Sequence, residues 1–233
     1  MSKVLNLENY LSISPNKLGI YLFDTINKKN LYKDELINND NIDSINYDLL
    51  KTFLDKNIFK IEKFSGKFIE NIFIILEDRH TLDIDIGIKK KNYSTSISKE
   101  YLEKLLTEAN DLFRENYQNE KLMHMIVKKY LINDKSFSSF YSNLEGDNLA
   151  LEIQFRSISN YFTNDLNKIL ESYQIKIIKY LDGGYIKSFF NNDYELSNMS
   201  NKIKSGHNKN EVIFIQKNQK KLGFFEKFFQ LFS

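Results

Sequence analysis

The chain has 233 residues, 42% hydrophobic and 27% charged, which supports one large or two small cores and excludes a wholly disordered polymer. It has no cysteine, so disulfides and thiolate centres are excluded and a reducing compartment is the simpler setting. The net charge of +2 is unevenly spread: Met199–Ser233 carries seven lysines against Glu211 and Glu226, leaving residues 1–198 net acidic.

Met1–Asn6 lacks the apolar core of a signal peptide. No run approaches the roughly eighteen apolar residues of a bilayer span. A cytoplasmic protein is the expectation. Leu18–Phe23 reads as a buried strand within a polar, Asn-rich stretch that lasts to about Asn46. Leu50, Phe53, Leu54, Ile58, Ile61 and Phe64 recur at helical spacing, with Gly66 placed as a C-terminal cap. Ile72–Leu76 is a further strand. In Leu82–Ile88, Leu82, Ile84, Ile86 and Ile88 alternate with Asp83 and Asp85, as in a half-buried strand.

Ser98 caps the next predicted helix, whose apolar stripe is Leu102, Leu105, Leu106, Ala109, Leu112 and Phe113. Strands are predicted at about 121–132 and 148–155. A third helix carries Ile158, Tyr161, Phe162, Leu166, Ile169, Leu170 and Tyr173, and it runs into a strand at 175–180 before Gly183-Gly184 makes a turn. The order β-β-α-β-β-α-β predicts an α+β module, a mixed sheet with helices on one face. Residues 1–66 form a strand, a polar segment and a helix; 67–190 form the module; 191–218 are a linker with a short strand at 211–216.

His80, His124 and His207 share no ligand spacing, so no metal is expected. Asp83 and Asp85 read as a solvent face rather than a cation site. The eight glycines form no phosphate loop, and no serine sits in a nucleophile elbow with a base. No catalytic constellation stands out, so no enzyme and no cofactor are expected. The acidic body, without a lysine stripe, gives no nucleic-acid partner.

Residues 219–233 are different. On a helix, Phe224, Phe225, Phe228, Phe229, Leu231 and Phe232 share about half of the cylinder without a polar interruption. Lys217, Lys220 and Lys221 precede them, and Lys227 lies on the opposite side. Six apolar positions beside four lysines predict an amphipathic helix lying on an anionic membrane surface.

The block Phe68–Phe190 resembles the insertion domain of the bacterial cell-division protein FtsA, an actin-like membrane tether. The resemblance rests on Met125-Ile126-Val127-Lys128-Lys129-Tyr130-Leu131-Ile132-Asn133, on Leu149–Ile153 ahead of helix Ile158–Tyr173, and on the Phe- and Lys-bearing tail at Lys220–Phe232. It implies a peripheral protein on the cytoplasmic side of the cell membrane, at the division site. The implied partners are FtsZ or other division proteins, with self-association through the insertion domain. The family's nucleotide turn, D-x-G-[ST], has no match where Gly19–Phe23 runs into Asp24-Thr25-Ile26-Asn27, and about forty residues after Gly184 are too few for the remaining lobes. A shortened, non-enzymatic FtsA-like anchor is therefore expected, with residues 1–66 as the reduced actin-like part. The alternative is a peripheral-membrane adaptor for pilus or secretion assembly.

Overall fold

A computed structural model describes residues 6–38, 45–92, 96–141, 144–191 and 193–213. The chain divides into two compact units, Met1–Thr81 with Ile158–Ser205, and Leu82–Ser157 with the described residues from Gly206 on.

The first unit holds a five-stranded sheet. Strands β1 (Leu7–Ser14), β2 (Lys17–Asp24) and β3 (Lys29–Ile37) form an antiparallel meander. Helix α1 (Tyr47–Ser65) comes next, then β4 (Asn71–Leu76). Asn46 caps α1 by accepting from the Leu49 amide at 2.9 Å. Gly66 ends it at φ +70°, a left-handed conformation that spares glycine the Cβ clash. Leu50, Phe53, Leu54, Ile58 and Ile61 are buried as the spacing predicts, whereas Phe64 faces solvent.

The chain then builds the second unit with β5 (Thr81–Lys91), α2 (Lys99–Asn116), β6 (Glu120–Ile132), β7 (Lys135–Phe137) and β8 (Asn148–Ser159). These strands form a four-stranded sheet in the order β5-β8-β6-β7. Its core gathers Leu102, Leu105, Leu106, Ala109 and Phe113 of α2 with Met125, Val127, Leu151, Ile153 and Phe155. The Phe113 and Phe155 rings stack at 4.9 Å. Ser98 caps α2 as expected, through the Tyr101 amide.

From β8 the chain returns to the first unit. Helix α3 (Asn160–Ser172) leads to β9 (Lys176–Asp182), α4 (Gly183–Phe190) and α5 (Leu196–Lys204). Strands β1, β4 and β9 run parallel, and the sheet order is β3-β2-β1-β4-β9.

The α+β class is as expected, but the single module over 67–190 is not. Its strands fall into two sheets, because β4 and β9 pair with each other and with β1 while β5, β6 and β8 pair among themselves. Two strands, β1 and β3, occupy the stretch read as polar. Ile158 belongs to the end of β8 rather than to α3, and Tyr161 is exposed. Gly183-Gly184 opens α4 instead of making a turn. Among the described residues no helix is long and apolar enough to cross a membrane.

Candidate functional site

In a sheet with parallel strands, ligands bind in the crevice beyond the strands' carboxyl ends. Here β1, β4 and β9 end level, with Ile13 opposite Leu76 and Leu76 opposite Asp182. Beyond them lies a cleft of about 160 Å³ lined by Ser12, Ser14, Lys17, Tyr21, Glu35, Glu77 and Lys187, with Tyr194, Leu196 and Met199 on its apolar side. Each strand end contributes for a local reason. The β1–β2 turn at Pro15-Asn16 delivers Ser14 and Lys17, with the Ser14 hydroxyl donating to the Lys17 carbonyl at 3.0 Å. Glu77 comes directly after β4 and is held by its amide on the Ile13 carbonyl at 3.0 Å.

The charges in this cleft are satisfied internally. Lys17 pairs with Glu35 at 3.1 Å, and Lys33 approaches the other oxygen of Glu35 at 3.6 Å. Tyr21 donates to Glu35 at 2.8 Å. Burial pushes the Glu35 carboxyl up, but the Tyr21 hydroxyl and Lys17 outweigh it and hold the group below its ordinary value. Burial first, then Glu35 itself, raises the Tyr21 phenol. On the opposite wall Lys187 of α4 pairs with Glu77.

The amino end of α4 is closed in the same way. A helix N-terminus at a strand end is a ready anion site. Here the Asp182 carboxylate takes the Tyr185 amide at 2.9 Å. Gly183 is required by close approach: a Cβ there would lie 2.5 Å from Glu77 Cγ. Two carboxylates thus stand where an incoming phosphate would need donors.

The resemblance to FtsA would imply a nucleotide, and the residues of this cleft do not fit one. The first hairpin turn reads Ser12-Ile13-Ser14-Pro15, without the aspartate and glycine of D-x-G-[ST]. Both lysines of the cleft are neutralised by glutamates, and the ends of β9 and β4 present Asp182 and Glu77. The volume falls below the roughly 300–1,000 Å³ of sites that bury a small ligand. Seeking the first turn at Asp24, as the sequence suggests, places it one strand too late; Asp24 instead caps the β2–β3 turn, accepting from the Ile26 and Asn27 amides.

Among the described residues no three metal-ligating side chains cluster. His80 contacts Asp78, and His124 contacts Glu211. Asp83 pairs with Arg156 at 3.2 Å. The predicted membrane-facing residues, Phe224, Phe225, Phe228, Phe229, Leu231 and Phe232, lie outside the described residues, as do Lys217, Lys220, Lys221 and Lys227. Of the expected strand 211–216 only the first three residues are described, and Glu211 bridges to Ile126. These residues pair with β6. The cleft residues were not predicted; Ser12, Glu35, Glu77 and Lys187 meet only through the sheet topology.

No family model matches the chain, and no curated protein matches it in sequence. Solved structures do. A chain of the PilM–PilN type IV pilus biogenesis complex matches with a TM-score of 0.50 at 9% identity, over 78% of this chain and 49% of that one. The cytoplasmic domain of EpsL, an inner-membrane component of the Vibrio cholerae type II secretion system, matches at 0.37 and 7% identity, over 77% and 58%. A Bacteroides thetaiotaomicron protein of actin-like ATPase fold and unknown function matches at 0.32 and 17% identity, over 81% and 57%. The chain spans about half the length of these proteins. The likeness is one of fold. None of the three is described as a cell-division protein.

Proposed function

We propose that this protein is a non-enzymatic adaptor on the cytoplasmic face of a membrane, serving a pilus- or secretion-type assembly. The observation that carries the reading is the fold likeness to a chain of the PilM–PilN complex across 78% of the sequence. The ion-paired cleft supports the non-enzymatic part, since Lys17 and Lys187 are already committed to Glu35 and Glu77. The partners in this reading are membrane proteins of the assembly, and the amphipathic segment from Lys217 to Phe232 supplies contact with anionic lipid.

The test is in-cell cross-linking of the full chain, with identification of the bound proteins. Inner-membrane pilus or secretion components are the expected recovery. Recovery of FtsZ and other division proteins instead would return the protein to cell division and overturn the assembly reading. Calorimetry with Mg-ATP should give no heat of binding; micromolar affinity would defeat the non-enzymatic part. For the lipid contact, Phe228→Asp places a charge inside the apolar face and should release the chain from phosphatidylglycerol vesicles. Undiminished binding would rule out that face.

A further inference from the structure

In β6 five consecutive buried residues, Met123–Val127, are followed by Lys128-Lys129, both exposed. Beyond this point β7 pairs only with Tyr130–Ile132. The earlier part of that edge is taken by a segment from far along the sequence. After Gly206 the chain turns, with the Glu211 amide on the Asn208 carbonyl at 3.0 Å, and lies antiparallel to β6. Val127 donates its amide to the Asn210 carbonyl at 2.8 Å, and Val212 donates to Met125 at 2.8 Å. The Asn210 side chain reaches the Ser138 carbonyl at 2.7 Å, so the segment continues the edge where β7 stops.

Three residues make a weak strand by themselves, and two features fasten this one. Val212 enters the apolar core of the unit. Glu211 meets His124 Nδ1 at 2.7 Å, with neither side chain exposed. A buried pair of this kind is costly to break on one side only, because the remaining partner keeps its desolvation penalty. It therefore selects the segment and its register: shifting Glu211 by one residue would turn its carboxylate away from His124.

We infer that the edge of β6 over Met123–Val127 is a strand-accepting site, and that Asn210–Val212 is its resident, displaceable occupant. The chemistry required of an occupant is an extended backbone with an acidic side chain opposite His124 and an aliphatic one directly after it. Backbone hydrogen bonds supply the attachment and the His–Glu pair supplies the selectivity, as in recognition by β-augmentation. Seating also restrains the sequence beyond Val212. Lys217 is five residues further on, so a seated segment limits the reach of that lysine to about 18 Å from Val212. A lifted one frees the chain from Gly206 onward. The edge is thereby protected while seated and available to a partner strand when open.

Native-state hydrogen exchange on the full wild-type chain tests this directly and does not depend on the adaptor reading. The Val127 and Val212 amides should open locally, with protection at least tenfold below that of Leu105 and Ala109 inside α2. Equal protection would make the segment an ordinary part of the core and overturn the proposal. In Glu211→Ala the same two amides should exchange about 100-fold faster than in wild type while α2 is unchanged. Loss of α2 protection together with them would overturn it as well. A peptide of residues 207–213 added to Glu211→Ala should restore protection at Val127, and the same peptide with alanine for its glutamate should not. Failure of the first peptide, or equal action of the second, removes the strand site or its selectivity.

Discussion

The two units solve the problem of buried charge in opposite ways. In the first, charged groups collect at one end of the sheet, partly exposed, and neutralise one another across β2, β3, the end of β4 and α4 as Lys17–Glu35 and Lys187–Glu77. In the second, the core is a continuous apolar slab, and a fully buried polar contact, His124–Glu211, fastens a returning segment. The first arrangement closes a cleft without fixing topology, since exposed pairs contribute about 0–1 kcal/mol each. The second holds distant parts of the chain together. The first site thus sets the charge of a cleft, and the second sets where a returning segment is seated.

The largest expected effect attacks the apolar slab. Phe155 is fully buried and stacked on Phe113. Phe155→Ala should destabilise the second unit by about 3–5 kcal/mol through lost transfer energy and a cavity. Denaturant unfolding checks the size, and hydrogen exchange should show α2 losing protection while Leu54 in α1 keeps it. Equal loss in α1 would erase the distinction between the units.

A smaller effect probes the cleft. Gly183→Ala forces a Cβ to within 2.5 Å of Glu77 Cγ, and overpacking of this kind costs about 1–3 kcal/mol. The adjacent Gly184→Ala is the control: its nearest neighbour is 3.3 Å away at Asp182 Oδ1, and the helix gains from alanine. Thermal unfolding should separate the two variants. Similar melting temperatures would mean that Glu77 moves aside freely and that the cleft is not tightly closed.

Much of the fold was legible because helices declare themselves locally. Ser98 and Gly66 sit at helix ends, and the stripes of α1 and α2 need only spacing to be seen. Strand β5 was visible through its alternation. By contrast β1 is central and buried on both faces, with Tyr10 and Ser12 on one side and Leu11 and Ile13 on the other, so it shows no alternation. Strand β3 is an edge carrying Lys33, Asp34 and Glu35, and reads as a polar loop. The division into two sheets is a matter of strand partnering, which no local pattern encodes. The cleft was hidden for the same reason: Ser12 and Lys187 are separated by most of the sequence. Val212 was visible as part of an apolar alternation, but nothing near Glu211 pointed to His124.

The cap of α1 offers a milder change. Asn46→Ala removes the acceptor of the Leu49 amide and should cost about 1 kcal/mol. Asn46→Asp should retain most of it, since aspartate accepts the same bond. A loss of similar size in both variants, measured by denaturant unfolding, would mean that the cap is not what holds this helix end.

The smallest effect concerns acid. Glu8 at the start of β1 is bound by Lys204 of α5, Tyr10 and Asn201. Burial works to raise its carboxyl, but the Lys204 hydrogen bond, aided by Tyr10 and Asn201, outweighs it and holds the group below its ordinary 4.5. A depressed carboxylate lends stability that is fully present above the unfolded value and is lost as pH falls through the lower folded one. Stability of the first unit should therefore decline below about pH 4.5 by no more than about 1 kcal/mol from this group. Glu8→Gln should flatten that part of the profile and lower stability at neutral pH by the same amount. Because Lys204 ends α5 shortly before the chain crosses to β6, the exchange of its amide reports whether acid loosens this end of the first unit while Val212 remains seated. Simultaneous loosening of both would tie the polar network of one unit to the latch of the other, and the contrast between them would fail at that point.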